Sequence, residues 1–277
     1  MAENNLIGYM PKETPLHRLS GSTKLLCFLM ISIIGMISYD TRFLLLLAVL
    51  SIVLFRTAKI KYREISFVVK FIVFFSVLNL VTVYVFAPEY GVTVYGTRHV
   101  IFEGIGRYTL TQEQLLYELN LLIKYFVTIP PGLLFILTTN PSELASSIHR
   151  VGGSYKIAYA FSLALRYIPD IQENFRTISK AQQARGSELS GKAPLMKRVW
   201  GNLAIAIPLI FSSLERIETI SSAMELRRFG KKKGRTWLSA KPLKQRDYLT
   251  LFIVVLLCLL GIFLLYHNGG RFYNPFH

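Results

Sequence analysis

Charge is what this sequence lacks most. Only 17% of its 277 residues are Asp, Glu, Lys or Arg, against about 25% in a soluble globular domain. Acids number just 16, and no pair of them falls inside an apolar stretch where it could couple an ion to transport. The five histidines, His17, His99, His149, His267 and His277, show neither metal-ligand spacing nor an HExxH helix. Cysteine is nearly missing too. Cys27 and Cys258 both lie in apolar runs, where a thiol behaves as a small hydrophobe, so no disulfide is expected. The N-terminus lacks the basic, apolar and small-residue order of a cleaved signal peptide, so insertion is expected to rely on the first spanning helix. The stretch GSELSGKA, residues 186–193, approaches a phosphate-binding loop. Its last position is Ala193 where Ser or Thr should hold magnesium, and a helical pattern, not a strand, precedes it. It reads as an interhelical loop, and nucleotide hydrolysis is not expected of this chain.

Apolar residues are there in excess: 52% of the chain, with a mean hydropathy of +0.40. They are clumped in residues 25–38, 43–55, 67–87, 119–139 and 249–266, stretches interrupted only by Lys70 and Lys124. A helix needs roughly 20 mainly apolar residues to cross a hydrocarbon core. The last three stretches suffice, and the first two need flanks such as Tyr39, Arg42 and Arg56, whose long side chains can snorkel. The fold class is all-α: a polytopic membrane protein with about five transmembrane helices. The net charge of +16 then reads as topology. With five alternating spans and the N-terminus inside, twenty-six of the 32 basic residues fall on inner segments, as the positive-inside rule requires. Anionic lipid is a sufficient partner for them, and nucleic acid is not expected. The localisation is the cell membrane, multi-pass, with a cytoplasmic N-terminus.

Three regions follow: residues 1–139 with four spans, residues 140–235 with long helices, and residues 236–277 with a cytoplasmic linker and the last span. The outer loop 88–117 alternates β-branched and polar residues around glycines, which predicts a small hairpin. Pro130 and Pro131 in the fourth span are expected to kink it. Asn140-Pro141-Ser142-Glu143 is a helix-start phrase, and Val151-Gly152-Gly153 ends that helix. Beyond it, Ile157, Phe161, Ala164, Ile168, Ile171, Phe175, Ile178 and Gln182 recur at intervals of four and three. So do Leu203, Ile207, Ile210, Leu214, Ile217, Ser221 and Met224. This spacing predicts two helices packed along a heptad seam. Each is apolar all round in its first half and charged in its second, as if it began at the membrane and ran out into water. From Pro169 to Arg185 is about 24 Å of helix, and from Pro208 to Arg227 about 28 Å.

Both helices end on the same phrase. In residues 178–186 (ISKAQQARG) and 220–230 (ISSAMELRRFG), Ile178, Ser179, Ala181 and Arg185 recur as Ile220, Ser221, Ala223 and Arg227. Ordinary helix termination explains one such ending: a cation offsets the helix dipole, and Gly186 suits a left-handed stop. Two alike suggest a contact. The small Ala181 and Ala223 let a partner's groove approach closely, and a forked guanidinium then reaches carboxylates or carbonyls.

On these residues the chain resembles the transmembrane T component of energy-coupling factor (ECF) transporters, the EcfT/CbiQ family. TPLHRLSGSTKLL is similar to the family's opening phrase, and SLALRYIPDIQENFRTISKAQQARG and IPLIFSSLERIETISSAMELRRFG to its two long coupling helices. The resemblance implies cytoplasmic coupling helices, two ABC ATPase partners and a separate substrate-binding S component in the membrane. Substrates would be a vitamin, metal ion or other micronutrient. It implies no cofactor on this chain, with ATP and magnesium on the partner ATPases. It also implies that an Ala-Arg-Gly terminus plugs each ATPase. Ala184, Arg185 and Gly186 match that motif fully. Arg227 matches the second arginine, but Leu226 and Arg228 stand where the family has Ala and Gly. Ile157, Phe161, Leu165, Ile207, Ile210 and Leu214 are either S-component docking residues or core. A stand-alone integral membrane scaffold binding lipid or another cytoplasmic partner is the competing reading.

Overall fold

The structure, a computed structural model, describes residues 12–103, 108–186, 195–231, 236–237 and 240–276. Among them are nine helices and one short antiparallel strand pair. The described residues divide into two compact units, one holding 12–140 together with 241–276, the other the described residues of 141–240.

The first unit contains α1 (Gly21–Ile37), α2 (Thr41–Thr57), α3 (Tyr62–Phe86), α4 (Tyr90–Tyr95), β1 (Val100–Phe102), β2 (Leu110–Thr111), α5 (Gln112–Thr138) and α9 (Gln245–His267). Helix α5 is its axis, packed against α1, α2, α3 and α4, and α9 packs on α1. Where α1, α2, α5 and α9 meet, Ile31, Ile34, Phe43, Leu44, Leu47, Ile123, Val127 and Val254 form the core. Among the described residues, α3, α5 and α9 are long and apolar enough to cross a membrane. Helices α1 and α2 have 17 residues each, roughly 25 Å of rise, and so need their snorkelling flanks. Apolar side chains of α3 and α9 point outward on most sides, the surface that lipid, not water, covers.

Local chemistry sets the helix ends. The Asp40 carboxylate accepts the Arg42 N–H (3.0 Å) and the Asn268 side-chain amide (2.8 Å), tying the start of α2 to the end of α9. Thr111 caps α5 by accepting the Gln114 N–H. The hairpin expected in the 88–117 loop is β1 paired with β2, preceded by the short α4. One boundary needs correction here. Helix α5 begins at Gln112, seven residues before its apolar stretch, because the capped segment 112–118 is helical although polar. Pro130 and Pro131 lie inside this helix.

The opening phrase closes the opposite end of this unit. The Thr14 hydroxyl and His17 Nδ1 lie 2.6 Å apart. The Ser20 N–H donates to Asp247 Oδ1 at 2.8 Å, while Asp247 Oδ2 accepts the Lys244 N–H and so caps α9. Buried Lys24 donates from Nζ to the Thr138 carbonyl at 2.8 Å, placing a cation at the negative end of α5.

The second unit holds α6 (Pro141–Arg150), α7 (Tyr155–Ala184) and α8 (Leu195–Leu226). Helix α6 starts and stops where its caps predicted. Gly152 takes φ +106°, and the Gly153 N–H returns to the Ile148 carbonyl. Helices α7 and α8 pack together, but most of the predicted heptad seam does not lie between them. Ile157, Phe161, Ile171, Phe175, Leu203, Ile207, Ile210, Leu214 and Ile217 of that seam are exposed, and Ile168, Ile178, Gln182 and Met224 are half-buried. The face of α8 turned inward instead carries Ile205, Leu209, Ser212, Arg216 and Ile220, two to three residues out of phase with the predicted stripe. A repeating apolar stripe states what a helix must cover, not which surface covers it.

Candidate functional site

Helices α7 and α8 are antiparallel. Arg216 Nη1 donates to Asp170 Oδ2 at 2.8 Å, and the guanidinium lies 5.7 Å from the Tyr167 ring. Thirteen residues further along the chain, Phe229 packs at a tilt on Tyr159, ring centroids 4.3 Å apart, and Tyr159 precedes Asp170 in α7. Forward along α8 is therefore backward along α7. The expectation that each helix begins at the membrane and carries its arginine outward fails for such a pair, since antiparallel neighbours begin at opposite ends. The two arginine termini also lie at opposite ends: Tyr159, beside the second, is separated from Arg185 by roughly 39 Å of helix.

The termini are built alike. At the end of α7 the Arg185 N–H reaches the Ala181 and Gln182 carbonyls at 3.2 and 3.1 Å, and the Gly186 N–H reaches Gln183 at 3.0 Å. Gly186 takes φ +87°, a conformation glycine adopts without steric cost. At the end of α8 the Arg227 N–H reaches Ala223 at 3.2 Å, the Arg228 N–H reaches Glu225 at 2.8 Å, and the Phe229 N–H reaches Met224 at 2.9 Å. The last two bonds are the paired closure of a Schellman motif. Arg228 takes φ +52°, so it stands structurally where Gly186 stands, in a left-handed conformation with a full side chain. Ala181, Ala184, Arg185, Gly186, Ala223, Leu226, Arg227 and Arg228 are all exposed.

A profile of the CbiQ family, described as cobalt transport protein, matches residues 12–237. The chain belongs to this family. Among its relatives is the energy-coupling factor transporter transmembrane protein EcfT of Exiguobacterium sibiricum, 28% identical over 273 residues, 95% of this chain and 98% of the relative. EcfT of Bacillus selenitireducens is 31% identical over 245 residues, 85% of this chain and 88% of its own length. EcfT of Lactococcus lactis subsp. cremoris is 26% identical over 271 residues, 94% and 97% of the two chains. An all-α membrane protein of the CbiQ family is thus what both the fold and the likeness give.

Within this CbiQ-family chain, Leu226 replaces the small alanine of the first terminus with an apolar knob 86% exposed to solvent. The six residues read as docking or core lie on the outside of the helix pair: Ile157, Phe161, Ile207, Ile210 and Leu214 are exposed and Leu165 is half-buried. Sequence reasoning missed an aromatic cluster that seats the second terminus. Phe229 lies 5.9 Å from Tyr155 as well as against Tyr159, and Trp237 lies 5.5 Å from Tyr155 and 6.3 Å from His149. The spacing of Tyr155 and Tyr159, one helical turn apart, was the signal. Residues 187–194, with most of the phosphate-loop-like stretch, lie outside the described residues, as do residues 104–107. Among the described residues no group of His, Cys, Asp and Glu is placed to hold a metal ion.

Proposed function

We propose that this chain is the transmembrane coupling subunit of an ECF-type importer. In this reading Arg185 and Arg227 each enter a groove on one of two cytoplasmic ABC ATPases, which bind ATP and magnesium. A separate membrane subunit holds the micronutrient, and the helix pair passes ATP-driven movement to it. The N-terminus and the α6–α8 region then face the cytoplasm, in line with the basic excess of those segments. One observation carries the proposal: two termini of like construction, exposed, at opposite ends of one antiparallel pair. That spacing suits two neighbouring partners, where a single partner would be served by one end. Leu226 and Arg228 adapt the second terminus to a groove unlike the first, which fits two different ATPases. The exposed row Ile157, Phe161, Ile207, Ile210 and Leu214 offers an apolar surface for the substrate-binding subunit.

Replacing both Arg185 and Arg227 by Ala removes two charge-assisted contacts of about 1.5–3 kcal/mol each. As mere helix terminators they would contribute only ~0.3–1 kcal/mol apiece. The double variant is expected to insert and express normally while losing its co-purifying ATPases and substrate uptake together. The double Lys variant keeps the charge but loses the planar fork, and it should be folded and poorly coupled. Near-normal uptake by the double Lys variant, or purification of the wild type without any ATPase, would instead favour a stand-alone scaffold.

A further inference from the structure

Helices α2 and α3 are joined by the tight turn 58–61, yet they make at most marginal contact with one another; α3 leans on α5 instead. The wedge they leave is a groove of about 600 Å³. Its walls are Leu45, Ile52 and Phe55 from α2 and Ile65, Val69 and Ile72 from α3, with α5 as floor. Arg56 and Tyr62 line its end at the turn. From Tyr62 to Ile72 the α3 wall covers roughly 15 Å of helix. That is half of a hydrocarbon core about 30 Å thick, the depth of a single leaflet.

The mouth of the groove is cationic. Arg56, Lys59, Lys61 and Arg63 cluster at the turn with exposed side chains. The carboxylate beside them, Glu64, is already engaged, accepting from Lys12 Nζ at 2.7 Å and from the Lys61 N–H at 2.9 Å. A transmembrane partner helix would need a groove as deep as the whole bilayer, and it would gain little from four cations at one end. An anionic phospholipid meets both demands, with its phosphate at the basic turn and an acyl chain lying between α2 and α3.

We propose that the α2–α3 wedge is a binding site for one anionic phospholipid of the leaflet on the basic side. The site does not depend on the coupling role of α7 and α8. The full chain, reconstituted in nanodiscs of equal phosphatidylcholine and phosphatidylglycerol and released gently, is examined by native mass spectrometry for retained lipid. The wild type is expected to keep one phosphatidylglycerol in preference to phosphatidylcholine by about fivefold or more. The triple variant Arg56→Gln, Lys61→Gln, Arg63→Gln should fall to parity between the two lipids. Ile52→Trp, which fills the groove from an exposed position on its wall, should retain neither. Equal retention of the two lipids by the wild type would overturn the proposal, as would an undiminished preference in the triple variant or full retention in Ile52→Trp. Loss of the lipid whenever the chain is purified with its native partners would assign the groove to a partner helix. Should the triple variant fail to fold, the wild-type preference and the Ile52→Trp comparison still decide.

Discussion

Arg228 holds a backbone conformation that costs an L-residue roughly 1–2 kcal/mol relative to the right-handed region. The Schellman bonds run through the backbone of Arg228 and Phe229, so a glycine at this position keeps them. Arg228→Gly is therefore expected to stabilise the protein by about 1 kcal/mol, read as a rise of ~2–4 °C in the melting temperature. Gly186→Ala, at φ +87°, should shift it down by a similar amount. The pair also separates stability from partner binding. If Arg228 touches a partner, Arg228→Gly will melt higher and yet bind ATPase less well than the wild type. Much of this was legible in the sequence. Helix stops depend on the chemistry of three or four consecutive residues, so Gly186 after Arg185 and the glycine pair after Val151 could be read directly. The sequence showed Arg228 in a glycine position, but its left-handed backbone is seen only in the fold.

At the scale of elements, pattern and packing part company. The stripe from Ile157 to Gln182 is regular enough to predict a helix, and α7 is that helix. Its regularity said nothing about α8 as the surface that covers it, because in or beside a membrane lipid and partner subunits compete with the neighbouring helix for apolar faces. Contacts distant in sequence were equally hidden. The Ser20–Asp247 bond joins residues 227 apart, and no local pattern announces it. Lys24 belongs to the same class: a basic residue in the opening phrase, buried to hold the Thr138 carbonyl at the end of α5. Lys24→Met keeps the aliphatic stem and removes the charged donor. It should cost about 1.5–3 kcal/mol, measured by thermal unfolding in detergent, whereas Lys24→Arg should recover part of the loss. An unchanged melting temperature in Lys24→Met would mean that the bond contributes nothing net.

For the whole molecule, the distribution of charge and the structure bear on different questions. The structure groups the opening phrase, the turn 58–61 and the start of α9 at one end of the first unit, and the hairpin, Tyr39 and the C-terminal segment at the other. The Tyr39 N–H donates to the Arg271 carbonyl at 2.8 Å, and the Asn274 side chain donates to the Tyr95 carbonyl at 3.1 Å. Which end faces the cytoplasm rests on the basic residues alone. With Cys27 and Cys258 replaced, single cysteines at Arg98 and Lys61 should label from opposite sides of intact cells, Arg98→Cys from outside. Labelling of Lys61→Cys from outside would invert the topology and with it the assignment of α7 and α8 to the cytoplasm. The comparison also shows why partners were easier to expect than geometry. A repeated phrase suggests a surface used twice, and the antiparallel pairing sets its two copies far apart.

Through Phe229 and its packing on Tyr155 and Tyr159, the second arginine terminus is seated on the beginning of α7, while the first terminus is that helix's own far end. If both termini seat in partners as proposed, α7 is a strut loaded at both ends. A strut fails by buckling near its weakest section, and in α7 that section is Pro169, which cannot donate a hydrogen bond to the preceding turn. The brace stands beside it, where Arg216 reaches across from α8 to Asp170. An exposed ion pair contributes only ~0–1 kcal/mol to stability, so Asp170→Asn should barely move the melting temperature. Under the proposed coupling role, its expected effect lies in transmission: less substrate moved for each ATP hydrolysed, with ATPase binding intact, and recovery when Pro169→Ala stiffens the same section.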